Sequence, residues 1–307
     1  MRCHRVRHGL TQALGRYTRR EMTDPIVLVT CAAWPELSTS DQCLADALRA
    51  RGHPVDAAPW NGPFAPFVRA AAIVVRSAWD YHEAPEAYLA WLGRLDAART
   101  FNAPALIRWN LSKAHVLDLG ERGALIPRSR VAAAEPEAVA EALAALDLAE
   151  GVIKPLVGAS GVGVERVRRG REAAALERAR ARLAIDQVLV QEFVDGIEHG
   201  ETAGVFFAGV FSHGLRRVPA PGEFRINSQF GGRMEAATLP EDLVQQMARV
   251  LALLPVPALY ARVDGVASDG RFTLMELEVN EPGLGLHLAP GSADRFAEAL
   301  LAGCARA

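Results

Sequence analysis

The sequence predicts an α/β fold of the α+β kind, in which an open α/β domain precedes a mostly β region. Three observations lead to this prediction. Short apolar runs alternate with amphipathic helical segments as far as about Arg108. A glycine-rich loop interrupts a second strand–helix region, and long strand-like runs follow from Gln187. The 307 residues suffice for about two domains or one composite enzyme, at roughly 150 residues per domain.

The open α/β region is predicted from its strands and helices in order. Ile26–Thr30 and Ile73–Val75 are apolar, β-branched runs that predict buried strands. Ser40 or Asp41 can cap a helix between them, and Pro85–Leu95 predicts a second amphipathic helix. This alternation is typical of an open sheet covered by helices.

The remaining elements follow from periodicity and from turn residues. Helices are expected over Ser112–Leu119, Pro136–Leu146, Glu172–Leu183 and Ala293–Leu301. Strands are expected over Gly151–Pro155, Val164–Val167, Gln187–Val194, Thr202–Ser212, Ala258–Val266 and Phe272–Asn280. The last two strands are joined by a Ser-Asp-Gly turn and therefore predict a β-hairpin.

The composition excludes several classes of protein. A formal net charge of −2 gives no electrostatic reason to expect a nucleic-acid or membrane partner. The four cysteines are far apart and form no C-x-x-C pair, which argues against a disulfide framework or a zinc site. No apolar run approaches the roughly 20 residues of a membrane span. We therefore expect a cytoplasmic protein, and a homo-oligomer remains open.

Residues 1–21 differ from the rest of the chain. They are rich in arginine and contain a single acid, Glu21, and no long apolar segment follows them. A secretory signal is therefore disfavoured, whereas an arginine-rich transit peptide remains open. We expect the functional chain to start near Met22, after a disordered or misassigned extension.

The hairpin near the carboxyl terminus carries a candidate metal site. On a strand, Glu276, Glu278 and Asn280 point to one face because side chains alternate. Closing the hairpin can bring Asp264 of the partner strand close to this row. Oxygen ligands without sulfur or imidazole suit Mg²⁺, which binds a few carboxylates together with substrate phosphates. The alternative is an ordinary solvated strand face.

A glycine-rich loop follows a strand that carries a lysine, Lys154. The loop contains Gly158, Ser160, Gly161 and Gly163. Its N–H groups can converge on phosphate oxygens while the ammonium neutralises their charge. A glycine-rich β-turn is the structural alternative. Lys113 lies at the start of a helix, where a cation is unfavourable unless an anion binds nearby, although surface placement is the simpler explanation.

Taken in chain order, these motifs resemble the ATP-grasp superfamily, and most closely its branch of glutathione synthetases and ribosomal-protein-modifying ligases. The resemblance runs from about Arg108 to the carboxyl terminus. The residues that carry it are Lys113, Val152–Pro155, Gly158–Gly163, Gln191–Val194, Arg262–Asp264 and Glu278–Gly283. Glu223–Asn227, followed by Gly231 and Gly232, is also similar to that branch.

The amino-terminal third resembles a narrower group, the cyclo-ligase of D-cycloserine biosynthesis and its relatives. The similar segments are Val29–Glu36, Arg76–His82, Arg108–Asn110, Val205–Phe207 and Phe211–His213. That cyclo-ligase closes O-ureido-D-serine to D-cycloserine. One position departs from its pattern, because Asn280 stands where the cyclo-ligase has an isoleucine.

The resemblance implies an ATP-grasp fold with a pre-ATP-grasp substrate domain over residues 22–108. Residues 109–186 would be the lid subdomain, and residues 187–307 the carboxyl-terminal subdomain with the metal site. ATP and Mg²⁺ would be the cofactors. The implied ATP-binding residues are Lys113, Lys154, the glycine loop, the hinge residues Gln191, Glu192, Phe193 and Val194, and Glu201 for the ribose.

Further roles are implied for the metal and the reacting groups. Asp264, Glu278 and Asn280 would bind Mg²⁺, and Glu276 would lie just outside these ligands. The candidates for contacts with the phosphate or acyl phosphate are Arg217, Arg225 and Arg262, of which Arg225 is preferred.

The substrate is expected at the carboxyl edge of the first sheet, where ligands of open α/β sheets usually bind. Arg76, Ser77, Trp79 and Asp80 follow a buried strand there. Arg76 could pair with a carboxylate and Asp80 with an ammonium group of a small, amino-acid-like substrate. Alternatively, Trp79 packs against the next domain.

The implied reaction forms an acyl phosphate from ATP, which an amine then attacks. Three hypotheses follow: a cyclo-ligase, an intermolecular peptide-type ligase, and a nucleotide-binding protein without turnover. The complete set of candidate lysines and metal ligands argues against the third, because a binding-only relative could tolerate their loss.

Overall fold

The computed structural model describes residues 24–181 and 183–306, which contain three β-sheets with helices packed against them. The expectation for residues 1–21 lies outside the described residues. Within the described part of the chain, no helix combines the length and apolar character that a membrane crossing requires.

The first sheet is parallel, with the strand order β2-β1-β3-β4. Its strands are β1 (Ile26–Thr30), β2 (Val55–Pro59), β3 (Ala72–Val75) and β4 (Thr100–Phe101). Its helices are α1 (Thr39–Ala50), α2 (Ala65–Arg69), α3 (Pro85–Leu92) and α4 (Pro104–Asn110). Every residue of β1 is buried, which confirms the predicted open α/β architecture. The cap of α1 is Ser38 rather than residue 40 or 41, because its hydroxyl accepts the Asp41 N–H.

The second sheet is antiparallel, with the strand order β5-β8-β6-β7. Its strands are β5 (Ser129–Ala133), β6 (Glu150–Pro155), β7 (Glu165–Arg168) and β8 (Gln187–Glu192). The helices of this region are α5 (His115–Glu121), α6 (Pro136–Ala145) and α7 (Glu172–Arg180). The division of the chain at residues 108 and 186 stays a prediction, and the pairing of β8 in this sheet favours a later boundary, after Glu192.

The third sheet is also antiparallel, with the strand order β11-β10-β9-β12-β13. Its strands are β9 (Glu201–Phe207), β10 (Val210–Val218), β11 (Arg233–Ala237), β12 (Tyr260–Ser268) and β13 (Arg271–Glu278). Helices α8 (Glu241–Leu251) and α9 (Ser292–Cys304) complete the region. The single strand predicted over Thr202–Ser212 is wrong. Ala208 and Gly209 both have positive φ and turn the chain between β9 and β10.

The first and third sheets share one hydrophobic core, because Leu28 of β1 and Val205 of β9 belong to the same buried cluster as Phe296 of α9. The second sheet has its own core, which includes Ile153 of β6 and Leu176 of α7. The carboxyl end of β3 contacts the hairpin β12–β13, because the Tyr260 hydroxyl donates to the Val75 carbonyl at 2.7 Å. The segment after β3 also contacts the loop after β6, where the Tyr81 hydroxyl donates to the Gly158 carbonyl at 3.3 Å.

Candidate functional site

Three carboxylates meet on one face of the hairpin β12–β13. Ligand oxygens of Asp264, Glu276 and Glu278 all lie within 4.8 Å of one another. The strand register explains this, because Asp264 lies opposite Glu276, and Glu278 lies two residues further on the same face. Clustered carboxylate oxygens are the donor set that a hard cation such as Mg²⁺ prefers, so these side chains fit that ion.

Two buried arginines compensate the charge of this carboxylate cluster. Arg262 donates from Nη2 to Asp264 Oδ2 at 2.8 Å and to Glu278 Oε1 at 2.6 Å. Arg217 donates from Nη1 to Asp264 Oδ2 at 2.5 Å. Both guanidinium groups therefore lie directly beside the candidate metal ligands.

Lys113 and Lys154 are the only lysines of the sequence, and both line the cavity beside the carboxylates. The Lys113 Nζ lies 2.5 Å from Glu276 Oε1. Burial alone would raise the pKa of Glu276, but the two lysines hold it well below its ordinary value. Within the described residues, Lys154 forms no ion pair, and burial lowers its pKa. Lys154 is therefore the ammonium that is available to an anionic ligand.

The loop after β6 forms another wall of this first cavity. Ser160, Gly161 and Gly163 have φ values of 58°, 71° and 72°, in the left-handed region. The Gly161 Cα is so close to Asn227 that an added Cβ would lie 2.5 Å from Asn227 Oδ1. Both the positive φ and this close contact therefore favour glycine at position 161.

Arg225 and Glu201 also line the first cavity. Arg225 donates from Nη2 to Glu223 Oε2 at 2.6 Å, and its guanidinium lies 3.7 Å from the ring centroid of Phe230. Burial raises the pKa of Glu201 to about 7, against the opposing charge of Arg217. Both predicted residues therefore lie where a nucleotide could reach them.

The predicted hinge residues Gln191–Val194 are not among the residues that line this cavity. The Glu192 carboxylate instead accepts hydrogen bonds from Arg128, with Nη2 at 2.8 Å from Oε1. Phe193 packs under the guanidinium of Arg166, at 3.9 Å from the ring centroid. Gln191 Nε2 donates to the hydroxyl of Ser129, and Val194 packs in a small apolar cluster. The expectation that backbone groups of this segment bind adenine stays a prediction.

Three of the four predicted substrate residues are buried and have polar partners among the described residues. Arg76 is 1% exposed, and its Nε lies 2.9 Å from Asp41 Oδ1. Ser77 donates its hydroxyl hydrogen to the same carboxylate. Asp80 accepts hydrogen bonds from Trp60 Nε1 and Asn61 Nδ2. Arg76 and Asp80 therefore already have polar partners within the described residues, and the expectation that they bind the charged ends of a substrate stays a prediction.

Trp79, the fourth predicted residue, lines a second cavity of about 620 Å³. Its ring packs edge to face against Trp34, with centroids 6.1 Å apart. His82 and Arg233 also lie on its wall. The two cavities share wall residues, namely Ser160, Val162, Arg217, Ile226, Asn227, Glu278 and Glu281. A group bound in one cavity can therefore meet a group bound in the other.

Two residues at this junction, Glu281 and Asn227, were not among the predicted site residues. Glu281 lines both cavities, and burial together with the neighbouring Glu278 charge raises its pKa to about 8. Asn227 also lines both, where it packs against Gly161. Glu281 could have been singled out from the sequence as an acidic residue that lies just beyond the strand of the candidate metal ligands and immediately before a proline.

The role of Asn280 as a ligand of Mg²⁺ stays a prediction. Its Oδ1 accepts a 2.7 Å hydrogen bond from the Tyr88 hydroxyl, and Asn280 lines neither cavity. The strand β13 ends at Glu278, so the alternation that predicted a shared face no longer applies at residue 280.

Two parts of the chain match described protein families. Residues 26–102 match the family described as the amino-terminal domain of D-cycloserine synthetase DcsG. Residues 121–260 match the ATP-grasp domain of prokaryotic glutathione synthetase.

Individual proteins are similar over most of the chain. Cycloserine biosynthesis protein DcsG of Streptomyces lavendulae is 30% identical over 90% of this chain and 97% of its own length. A glutathione synthetase of Parasynechococcus marenigrum is 30% identical over 75% of this chain and 74% of its own length. The crystal structure of D-cycloserine synthetase DcsG superposes with a TM-score of 0.79, at 30% identity, and covers 91% of this chain and 99% of that one.

Proposed function

This chain belongs to the ATP-grasp ligases, and we propose that it closes a ring within a small amino-acid-like substrate. In the proposed reaction, a substrate carboxylate attacks the γ-phosphorus of ATP and releases ADP. An amine-type nitrogen of the same molecule then attacks the acyl phosphate and releases inorganic phosphate. The product is a cyclic amide-type compound. The closure of O-ureido-D-serine to D-cycloserine is of this kind, but it also removes the carbamoyl group from the attacking nitrogen, which with water leaves as carbon dioxide and ammonia.

The observation that supports this proposal most directly is the junction of the two cavities. The first cavity carries the lysines and the glycine loop, which suit a triphosphate. The second is walled partly by Trp34, Trp79, His82 and Glu83 of the amino-terminal domain and, at about 620 Å³, has the size of a small-molecule site. Because the cavities meet at Arg217 and Glu278, the γ-phosphate and a substrate carboxylate can be brought together there.

The residues of the first cavity would bind and orient the phosphates. Lys154 offers an unpaired ammonium, and Lys113 can exchange part of its contact with Glu276 for a phosphate oxygen. Mg²⁺ bound by the carboxylate cluster would screen the charge of the transferred phosphoryl group. Asp264, Glu276 and Glu278 are the side chains that would hold it.

The residues of the second cavity would hold the acyl group and exclude water. Arg217 lies at the junction and Arg262 on the wall of the second cavity, where a guanidinium can stabilise the oxyanion that forms when nitrogen attacks the carbonyl. Trp34 and Trp79 supply an apolar wall. Water exclusion matters because an acyl phosphate hydrolyses easily.

An intramolecular attack suits a cavity of this size. Effective molarities for oriented intramolecular reactions reach about 10⁵ M or more, so the enzyme needs to activate one carboxylate and fold one molecule. A substrate with both reacting groups fits a single small cavity without a separate acceptor site.

The test is to incubate the purified protein with ATP, Mg²⁺ and O-ureido-D-serine, and to follow phosphate release together with the mass of the product. We expect ADP, phosphate and a cyclised product without any added amine. ATP consumption that requires a second amine would overturn the ring closure in favour of intermolecular ligation. Nucleotide binding without turnover across a panel of amino-acid-like substrates would overturn the catalytic proposal.

A further inference from the structure

The start of the glycine loop is packed into the amino-terminal domain. Ala159 of this loop belongs to the same buried cluster as Val75 of β3, and Val157 packs against that cluster. The next part of the loop contacts the segment before β11 instead, where Gln229 Nε2 donates to the Ser160 carbonyl. Although β6 belongs to the second sheet, the loop that follows it therefore depends on the amino-terminal domain for its position.

A buried hydrogen bond accompanies this apolar contact. The Tyr81 hydroxyl donates to the Gly158 carbonyl at 3.3 Å. Tyr81 is 5% exposed, and its ring packs against Tyr88, with centroids 5.3 Å apart. Burial raises the pKa of Tyr81 well above its ordinary value, so the hydroxyl keeps the proton that it donates. The amino-terminal domain thus holds the first glycine of the loop through a single side chain.

The turn that carries Tyr81 also forms part of the wall of the second cavity. Trp79, His82 and Glu83 line the second cavity, whereas Tyr81 lines the first. The turn is closed by its own hydrogen bonds, because His82 Nδ1 lies 3.0 Å from the Trp79 carbonyl and the Glu83 N–H donates to the Asp80 carbonyl at 3.0 Å. A displacement of Trp79 or His82 is therefore transmitted to the Tyr81 hydroxyl.

We propose that Tyr81 is a positioning residue, whose hydroxyl holds the glycine loop in place for the nucleotide phosphates and thereby couples the two cavities. This proposal rests on the proposed function, because it concerns how the two ligands of that reaction affect each other. A substrate that packs against Trp79 and His82 favours the position of the turn in which the hydroxyl reaches Gly158. A substrate in the second cavity therefore strengthens nucleotide binding in the first, and the coupling is reciprocal.

The test compares Tyr81→Phe with a matched control, Thr100→Val. Each substitution removes one buried hydroxyl that donates to a main-chain carbonyl, and phenylalanine keeps the ring that packs against Tyr88. Thr100 of β4 donates to the Asp96 carbonyl at 2.7 Å and lines neither of the two cavities. Calorimetry measures the affinity for an ATP analogue with an imido bridge between the β- and γ-phosphates, in the presence of Mg²⁺, and thermal unfolding measures stability.

The two variants should separate nucleotide affinity from stability. We expect Tyr81→Phe to weaken binding of the analogue by about three- to tenfold, which corresponds to the loss of one hydrogen bond. Thr100→Val should lower the melting temperature and leave this affinity unchanged. An unchanged affinity in Tyr81→Phe together with a lower melting temperature would give the hydroxyl a purely structural role and overturn the proposal.

The same titrations with saturating O-ureido-D-serine measure the coupling. This compound should strengthen binding of the analogue by about fivefold or more in the wild type and in Thr100→Val, but by less than about twofold in Tyr81→Phe. Coupling that persists in Tyr81→Phe overturns the proposal, as does a wild type that binds O-ureido-D-serine without a change in nucleotide affinity. Failure of the proposed function is distinguishable, because O-ureido-D-serine then does not bind, while the affinities of the two variants for the analogue still decide whether Tyr81 positions the loop.

Discussion

The guanidinium of Arg262 forms two hydrogen bonds to the carboxylate of Asp264, from Nε to Oδ1 at 2.8 Å and from Nη2 to Oδ2 at 2.8 Å. Asp264 is completely buried, Arg262 is 2% exposed, and Arg217 approaches the same carboxylate from β10. Asp264 therefore has two tasks, as a candidate metal ligand and as the counter-charge of two buried arginines. Glu278 contributes less as a counter-charge, because its side chain is 22% exposed and, among the described residues, it forms an ion pair with Arg262 only.

Removing either carboxylate should abolish turnover, but only one of the two removals should damage the fold. We expect Asp264→Ala to lower the free energy of unfolding by about 3–5 kcal/mol, because it leaves buried guanidinium groups without a partner. Glu278→Gln should keep the fold and reduce ATP turnover by about 100-fold or more. Losing a group that only supports a metal ligand already costs about 10- to 100-fold, so losing a ligand should cost at least as much. Urea unfolding and phosphate release measure the two effects. Equal stability of both variants would contradict this assignment of roles.

Lysine acylation should distinguish the two ammonium groups without any mutation. The sequence contains only Lys113 and Lys154, and burial lowers the pKa of Lys154, whereas the carboxylates around Lys113 raise its pKa in spite of burial. Because acylation needs the neutral amine, we expect a water-soluble acetyl ester at pH 8 to modify Lys154 first. ATP with Mg²⁺ should protect both, as read by mass spectrometry of peptides. Faster modification of Lys113, or no protection by ATP, would contradict the phosphate-binding role.

The glycine loop offers a matched pair of substitutions. Gly161 and Gly170 both have positive φ, at 71° and 78°, so alanine at either position costs about 1–2 kcal/mol of backbone strain. Only at Gly161 would the new methyl group meet a neighbour, Asn227 Oδ1, at 2.5 Å. We therefore expect Gly161→Ala to raise the KM for ATP as well as lower the melting temperature, and Gly170→Ala to change the melting temperature alone. A similar KM in both variants would mean that the loop does not contact the nucleotide.

The stability of the protein should depend on pH through His115. Burial lowers the pKa of His115 from 6.5 to about 4, and its Nδ1 lies 2.8 Å from the Ser112 carbonyl. The unfolded chain binds a proton near pH 6.5 and the folded chain only near pH 4, so this contribution is complete above pH 6.5 and is lost as the pH falls towards 4. The shift corresponds to about 3 kcal/mol.

Urea unfolding of the wild type and of His115→Asn at pH 7 and pH 4 measures this contribution. Asparagine can keep the hydrogen bond to the Ser112 carbonyl but does not titrate. We therefore expect the wild type to lose more stability than the variant on acidification. Parallel losses in both proteins would show that His115 is already protonated in the folded state.

Much of the fold and of the site could be predicted from local patterns. Alternation along β13 correctly placed Glu276 and Glu278 on one face, and a lysine before a glycine loop correctly indicated a cavity wall. Other elements have no strong local signal. Strand β11 lacks β-branched residues and is defined by its pairing with β10, so it was not predicted.

Local sequence patterns were enough to predict most strands and helices, the glycine-rich loop after the lysine-bearing strand and the carboxylates that share one face of β13. The choice of which polar residues beyond the strand ends line the cavities depends instead on the packing of distant segments. Beyond Glu278 the chain leaves the sheet, and its side-chain directions depend on contacts with Arg76, Trp79 and Tyr88, about 200 residues earlier in the chain. Periodicity describes hydrogen-bonded segments, whereas these contacts exist only after distant parts of the chain have packed together. For that reason periodicity did not predict that Glu281 lines both cavities and that Asn280 lines neither.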